Sequence, residues 1–350
     1  MAKRTSRELT ACLLQAALLA GLAAGFVASL IGAGGRALTF EDMMGFRQIE
    51  DPVISNDGKL IAFTARPDRG NPEVVLRLAE GEGSFSHSLG SKPLISGDSR
   101  WMAAVHETDL VLAEKEQAAK RPLHPGMLLL GLGKGTWEAV ERVKGFTFSR
   151  DGRWLAYQFF PEEHEAGAEG ENRNSAEDES GRDAESSRLI LRDLASGREF
   201  ISEAVKEYGF DDSSAYLALA RSGGEDESTN GVYVRSLRKS PDHEIQLQSL
   251  PGGGFSSLTW TRQGSVLAWV AGQDDADGFR VWIWEGASGS AREVSGLPEG
   301  WYVPLQNSLA WTRDNSRLFF GIKPDRDRES AGRGEEREKG GPDPEVKAGE

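Results

Sequence analysis

An all-β, multibladed propeller is the fold this sequence predicts, and three observations carry the prediction. A hairpin signature of the Ser-x-Asp-Gly type recurs six times along 350 residues. Its spacing leaves room for about four short strands per period. After residue 50 the apolar pattern alternates as in strands, with no amphipathic helix of useful length.

The clean copies are ISNDGKLIAF (54–63) and FSRDGRWLAY (148–157). A third, ISGDSRWMAA (95–104), has Ser99 where glycine is expected. More degenerate copies are FDDSSAYLAL (210–219), WTRQGSVLAW (260–269) and WTRDNSRLFF (311–320). Their first polar residues, Ser55, Ser96, Ser149, Asp211, Thr261 and Thr312, lie 41, 53, 62, 50 and 51 residues apart.

The chemistry of the signature is local. Asp-Gly or Asn supplies the positive φ that a tight hairpin needs. The Ser, Thr or Asp before it accepts hydrogen bonds from turn amides. Ser55, Asp57, Gly58, Ser96, Asp98, Ser149, Asp151, Gly152, Gly264 and Asp314 are therefore turn residues. The strand that follows carries Ala62, Ala103, Ala156, Ala218 and Ala268 at one shared position. A small residue there lets neighbouring sheets approach closely. Further strands fill each period: MLLLGLGKGTWEAV (127–140), LILRDLASGRE (189–199), GVYVRSL (231–237) and VWIWEGASGSAREV (281–294). Four-stranded units every 40 to 50 residues are propeller blades, six of them recognisable here. The one helix expected near the repeat is a short segment over 41–49, opened by Thr39 as a cap.

The ends and one insert lie outside the repeat. Lys3, Arg4 and Arg7 precede an apolar run over 11–34, which reads as an export signal. The run is also long enough to span a bilayer. Gly35 and Ala37 offer a cleavage site, so a cleaved signal and a retained anchor both fit residues 1–37. Either way the rest is expected outside the cytoplasm, periplasmic or membrane-anchored, touching the membrane only through 11–34. Within the propeller region, 38–324, residues 161–187 carry ten acidic and two basic side chains and so supply −8 of the net −14. That stretch and the tail, 325–350, hold too little apolar surface to offset their ordering entropy and are expected to be disordered. The negative charge argues against a nucleic-acid partner. Cys12 is the single cysteine, which excludes an intrachain disulfide and a cysteine-built zinc site. It precedes the apolar run, whereas a lipid-anchor box would follow it.

The segment LTFEDMMGFRQIEDPVISNDGKLIAFTARPD (38–68) resembles the entry into the propeller of exported prolyl oligopeptidase family (S9) serine peptidases. SRDGRWLAY, LRDLASGRE and DNSRLFFG are similar to the TolB-like, WD40-like repeats of that group. The resemblance covers 38–324. It implies seven or eight blades capping a C-terminal α/β-hydrolase domain whose serine sits in a Gly-x-Ser-x-Gly elbow. No Gly-x-Ser-x-Gly occurs here, so the triad transfers to no residue of this chain. The expectation is a truncated chain: a substrate-gating, accessory propeller that is inactive alone and meets peptides when joined to a hydrolase. The alternative is a stand-alone TolB-like scaffold with a protein partner.

Other motifs favour bland readings. His87, His106, His124, His164 and His243 show no ligand spacing, and Ser86-His87-Ser88 reads as a strand or loop. Residues 274–278 lack the glutamate and spacing of a calcium loop, and 131–135 lack the gap of a phosphate loop. The Asp-Gly register also departs from sialidase Asp-boxes. Trp101, Trp154, Trp260, Trp269, Trp282, Trp284 and Trp311 are expected in the blade core. No catalytic, metal-ligating or cofactor-binding residue is assigned.

Overall fold

The computed structural model describes residues 37–161, 187–222, 227–273, 278–286 and 289–324. The export segment, most of the acidic insert, the candidate calcium loop at 274–277 and the charged tail lie outside the described residues. The described residues fall into two compact units, one holding 37–47 with 67–69 and the other the remaining described residues. In the first, helix α1 (Phe40–Met44) is opened by a reciprocal cap. The Thr39 hydroxyl accepts from Asp42 N at 3.2 Å, and Asp42 Oδ2 accepts from Thr39 N at 2.8 Å. The helix expected over 41–49 ends early: Gly45 N turns back to Asp42 O at 3.2 Å, and strand begins at Arg47.

In the second unit each signature joins the first two strands of a blade. Blade one is the meander β1 (Arg47–Ile54), β2 (Leu60–Pro67), β3 (Glu73–Leu78) and β4 (Ser84–Ser88). Blade two comprises β5 (Gly90–Ile95), β6 (Trp101–His106), β7 (Gly126–Gly131) and β8 (Thr136–Val140). Blade three starts with β9 (Val143–Phe148), β10 (Trp154–Phe159) and β11 (Ser187–Asp193). Its last strand, β12 (Glu199–Phe210), runs on to become the first strand of blade four, before β13 (Tyr216–Arg221), β14 (Gly231–Ser236) and β15 (Ser240–Ser249). Register shifts on both sides of Val205, with Ala204 at φ 54°, mark where β12 changes partner from β11 to β13. Blade five comprises β16 (Gly254–Trp260), β17 (Val266–Gly272), β18 (Phe279–Glu285) and β19 (Ala291–Glu293). The sixth is reduced to two short ladders: β20 (Trp301–Tyr302) with β23 (Lys323–Pro324), and β21 (Ala310–Trp311) with β22 (Leu318–Phe319).

Successive blades are joined by five apolar clusters. The alternation of the second strand sets their membership. Ala62 packs with Met102 and Leu128 of blade two, and Ala103 with Leu155 and Ile190 of blade three. Ala156 meets Leu217 and Leu219 of blade four, Ala218 meets Leu267 and Trp269 of blade five, and Ala268 meets Val303 and Leu309 of blade six. All five alanines are 0% exposed, and each faces the following blade. At about 1.5–3 kcal/mol per buried large aliphatic side chain, these clusters outweigh the hairpin hydrogen bonds they align, at ~1 kcal/mol each.

The same position in blade six is Phe319, which is 59% exposed. Ile49 and Ile54 on β1 are exposed as well. Among the described residues no cluster joins blade six to blade one.

One element has no trace in the apolar pattern. Helix α2 (Leu110–Ala118) links β6 to β7 and buries no residue. Asp109 caps it, accepting from Val111 N at 3.0 Å and Leu112 N at 3.3 Å. Its sequence signal is the cap and the good helix formers behind it, since it has no buried face to write a period. No helix among the described residues is long and apolar enough to cross a membrane.

Candidate functional site

The signature residues occupy one repeated turn. Ser55 Oγ donates to Asp57 Oδ1 at 2.6 Å and accepts from Leu60 N at 3.0 Å. Ser96 does the same with Asp98 (2.6 Å) and Trp101 N (3.0 Å), and Ser149 with Asp151 (2.6 Å) and Trp154 N (2.9 Å). In the degenerate copies Asp211 accepts from Tyr216 N at 2.7 Å, Thr261 from Val266 N at 3.3 Å and Thr312 from Arg317 N at 3.0 Å. The fourth residue is left-handed throughout: Gly58 (71°), Ser99 (57°), Gly152 (74°), Ser214 (53°), Gly264 (149°) and Asn315 (59°). The Ser55 hydroxyl and the Lys59 amide hold the Asp57 carboxyl below the usual carboxylate range; Thr312 and Ser316 do so for Asp314.

The turns also touch one another. Asn56 Nδ2 donates to Gly97 O at 3.2 Å, Asp151 N to Ser214 Oγ at 3.0 Å, Ser265 Oγ to Asp211 Oδ2 at 3.0 Å and Arg262 N to Asn315 Oδ1 at 3.0 Å. Between turns two and three the contact is steric: a Cβ on Gly97 would stand 1.8 Å from Arg150 O. The six turns thus form a collar along one face, a second task for residues that the repeat alone assigns to hairpins.

The first strands of neighbouring blades touch, β12 with β16 and β16 with β21, so they form the inner side of the array. Trp260 Nε1 donates to Gly209 O at 2.9 Å and Trp311 Nε1 to Thr259 O at 3.2 Å, fastening each inner strand to the preceding one. Where β9, β12 and β16 run into their turns lies a cavity of about 620 Å³. Phe148, Tyr208, Phe210 and Trp260 give it aromatic walls, and Arg150 and Arg262 stand at its rim. Its formal charges balance, Asp211 and Asp212 against Arg150 and Arg262. Asp211 accepts from the turn amides of Ala215 and Tyr216 and keeps its charge, and Arg150 is paired with Asp212. Arg262 makes no ion pair among the described residues. Burial pushes the Tyr208 hydroxyl up, keeping it protonated and neutral.

Beside Tyr208, burial pushes Glu207 above the usual carboxylate range, against the pull of Leu258 N, which donates to it at 2.9 Å. A folded-state pKa above the unfolded value means a stability contribution that is full below the unfolded pKa and lost as pH rises through the folded one. Glu207→Gln, which keeps the acceptor, is expected to raise the melting temperature at pH 8 and leave it unchanged at pH 4. Thermal unfolding at the two pH values checks this.

The histidines fall into different settings. His87 on β4 and His106 on β6 meet edge-on across blades one and two, with ring centroids 5.8 Å apart. Burial, then His87, lowers the pKa of His106. His87 Nδ1 is 2.5 Å from Ser88 O, a contact that commits that nitrogen to a carbonyl rather than to a serine hydroxyl. Among the described residues no group of three or more His, Cys, Asp or Glu side chains is placed to hold a metal ion. Trp154, Trp269 and Trp284 are core residues, whereas Trp260 is both an interblade clasp and a cavity wall. Tyr208 and Arg262 carry no local motif; only the packing of inner strands brings them to one cavity.

No family model matches the chain, and no curated protein matches it. Among solved structures it is similar to the β-propeller domain of the trilobed protease from Pyrococcus furiosus, at 11% identity and a TM-score of 0.41, covering 80% of this chain and 83% of that one. It is similar to the acylaminoacyl peptidase of Pyrococcus horikoshii at 12% identity and a TM-score of 0.40, covering 80% of this chain and 43% of that one. A eukaryotic initiation factor reaches a TM-score of 0.44 at 11% identity, with 83% and 64% covered. The chain thus spans less than half the length of the acylaminoacyl peptidase. At such identities and scores no residue role or activity carries across. The blades themselves establish the fold: an all-β, multibladed propeller with an aromatic-walled cavity at its inner strands.

Proposed function

We propose that this chain is the accessory, substrate-gating propeller of an S9 prolyl oligopeptidase-like serine peptidase, acting outside the cytoplasm and contributing no catalytic residue of its own. The observation that carries the reading is the inner-strand cavity. Aromatic walls suit the apolar and proline side chains of an extended peptide, and Arg262 is a guanidinium free to meet its carboxylate. The entry segment 38–68 supports the same reading from sequence. A cleft of about 620 Å³ has room for a few side chains of an extended peptide.

The test is fluorescence anisotropy with a labelled, proline-containing hexapeptide and the intact chain. Arg262 is exposed, so Arg262→Ala leaves the fold intact and is expected to weaken binding by about tenfold, the loss of one charge-assisted hydrogen bond. Equal binding by both proteins would overturn the reading. Capture of a folded partner with no affinity for short peptides would support the stand-alone scaffold instead.

A further inference from the structure

Each junction between neighbouring blades is built from the same two parts. From the earlier blade comes the small residue of its second strand: Ala62, Ala103, Ala156, Ala218 and Ala268, all 0% exposed. From the later blade comes the apolar residue that closes its first strand, just before the signature turn. Ile95, Phe148, Phe210, Trp260 and Trp311 hold that place, and each packs into the cluster shared with the preceding blade.

Six signatures make five such junctions and leave one of each part over. The residue closing the first strand of blade one is Ile54, 68% exposed, and the small-residue position of blade six holds Phe319, 59% exposed. Strand alternation sets their directions. Ile61 and Phe63 flank Ala62, which faces blade two, so they point to the opposite side of blade one. Ile54 lies on that side too, in the direction its five counterparts take toward the preceding blade. Leu318 and Phe320 flank Phe319 and pack back against blade five, so Phe319 points away from it. The two ends thus present apolar surface of the kind that marks interaction sites. The tail 325–350 offers neither end a cover, since Val346 is its only large apolar residue.

We propose that these ends bind each other between two copies of this chain, blade six of one copy against blade one of the next. The occupant is a second copy because the contact continues an interface the chain already builds five times. Each copy carries both parts of one more junction, unpaired and facing the right way to complete another's. Phe319 stands where the other blades have alanine, so this junction seats a ring against Ile54 and Phe63 rather than bringing two sheets into close approach. The surfaces on the two copies differ, so the contact is heterologous and chains add end to end. Burial of apolar surface drives it, so salt does not weaken it.

Sedimentation velocity on the full chain tests this. The parent is expected to show a sedimentation coefficient that rises with protein concentration, and to keep that rise at about 0.5 M salt. Phe319→Asp and Ile54→Asp change exposed side chains, so each is expected to keep the parent's melting curve and to lose the concentration dependence. Mixed in equal amounts, the two variants are expected to form a two-chain complex and nothing larger, because each retains the one sound end that fits the other's. A parent that stays monomeric at every concentration would overturn the proposal. Association that survives in either single variant would also overturn it, pointing to contact between like surfaces or through the apolar run over 11–34. Variants that stay apart when mixed would show that blade six and blade one do not meet, which overturns the pairing itself.

Discussion

Ala156→Leu is expected to lower the unfolding free energy by about 3 kcal/mol, at the upper end of what overpacking a closed core costs. Ala156 is 0% exposed and packs with Leu217 and Leu219 across the interface of blades three and four. It also pairs with Thr147 on one side and Leu191 on the other. Additional methyl groups therefore have no direction in which to relax without parting two sheets. Phe319 supplies the control, because it holds the same position in the repeat with its ring 59% exposed. Phe319→Ala is expected to change stability by less than about 0.5 kcal/mol, as an exposed site should. Urea titrations of the two variants decide the matter. Equal effects would show that the shared alanine is not a packing requirement.

The second large effect is expected at Glu244. Its carboxylate lies 2.5 Å from Arg235 Nη2, also pairs with Arg221, and accepts from Ser202 Oγ at 2.5 Å. The Arg235 side chain is only 4% exposed, so removing its countercharge leaves a guanidinium out of reach of water. Glu244→Ala is expected to cost about 3–5 kcal/mol. The double change Arg235→Met/Glu244→Leu is expected to recover most of that loss, because two apolar side chains of similar volume carry no desolvation penalty. A double variant as unstable as Glu244→Ala would show that the other bonds of Arg235, to Pro241 O and Ser202 Oγ, matter more than its charge. The cluster sits beside the long strand β12, through Ser202, and ties the sheet of blade three to that of blade four.

Strands and turns were legible in the sequence because their causes are local. A positive φ at the fourth turn position selects Gly, Asn or a tolerant Ser, and these residues stand at 58, 99, 152, 214, 264 and 315. Strand alternation writes the apolar face directly into the chain, as in Leu60, Ala62 and Thr64, all buried on one side. Helix α2 was not legible, because a helix that buries nothing has no face to encode. The run of β12 from one blade into the next was hidden for another reason: each half looks like an ordinary strand, and only its two sets of partners reveal the continuity.

The candidate sites were almost wholly illegible. Arg262 is one more surface arginine in the sequence. It becomes a guanidinium without an ion-pair partner among the described residues, at a cavity wall, only once Arg150 is seen to pair with Asp212. The two histidines that meet across blades one and two are 19 residues apart and share no motif.

Local chemistry therefore accounts for the repeated hairpin, the small residue that follows it and the all-β character, since each depends on backbone angles and neighbours within a few residues. Tertiary structure alone decided that the shared alanine always faces the following blade, that the turns link into a collar, and which charged side chains remain unpaired. Those properties depend on groups about 40 to 60 residues apart in sequence, the length of one blade, brought within a few ångströms by stacking. No short-range pattern encodes a partner that lies a whole blade away.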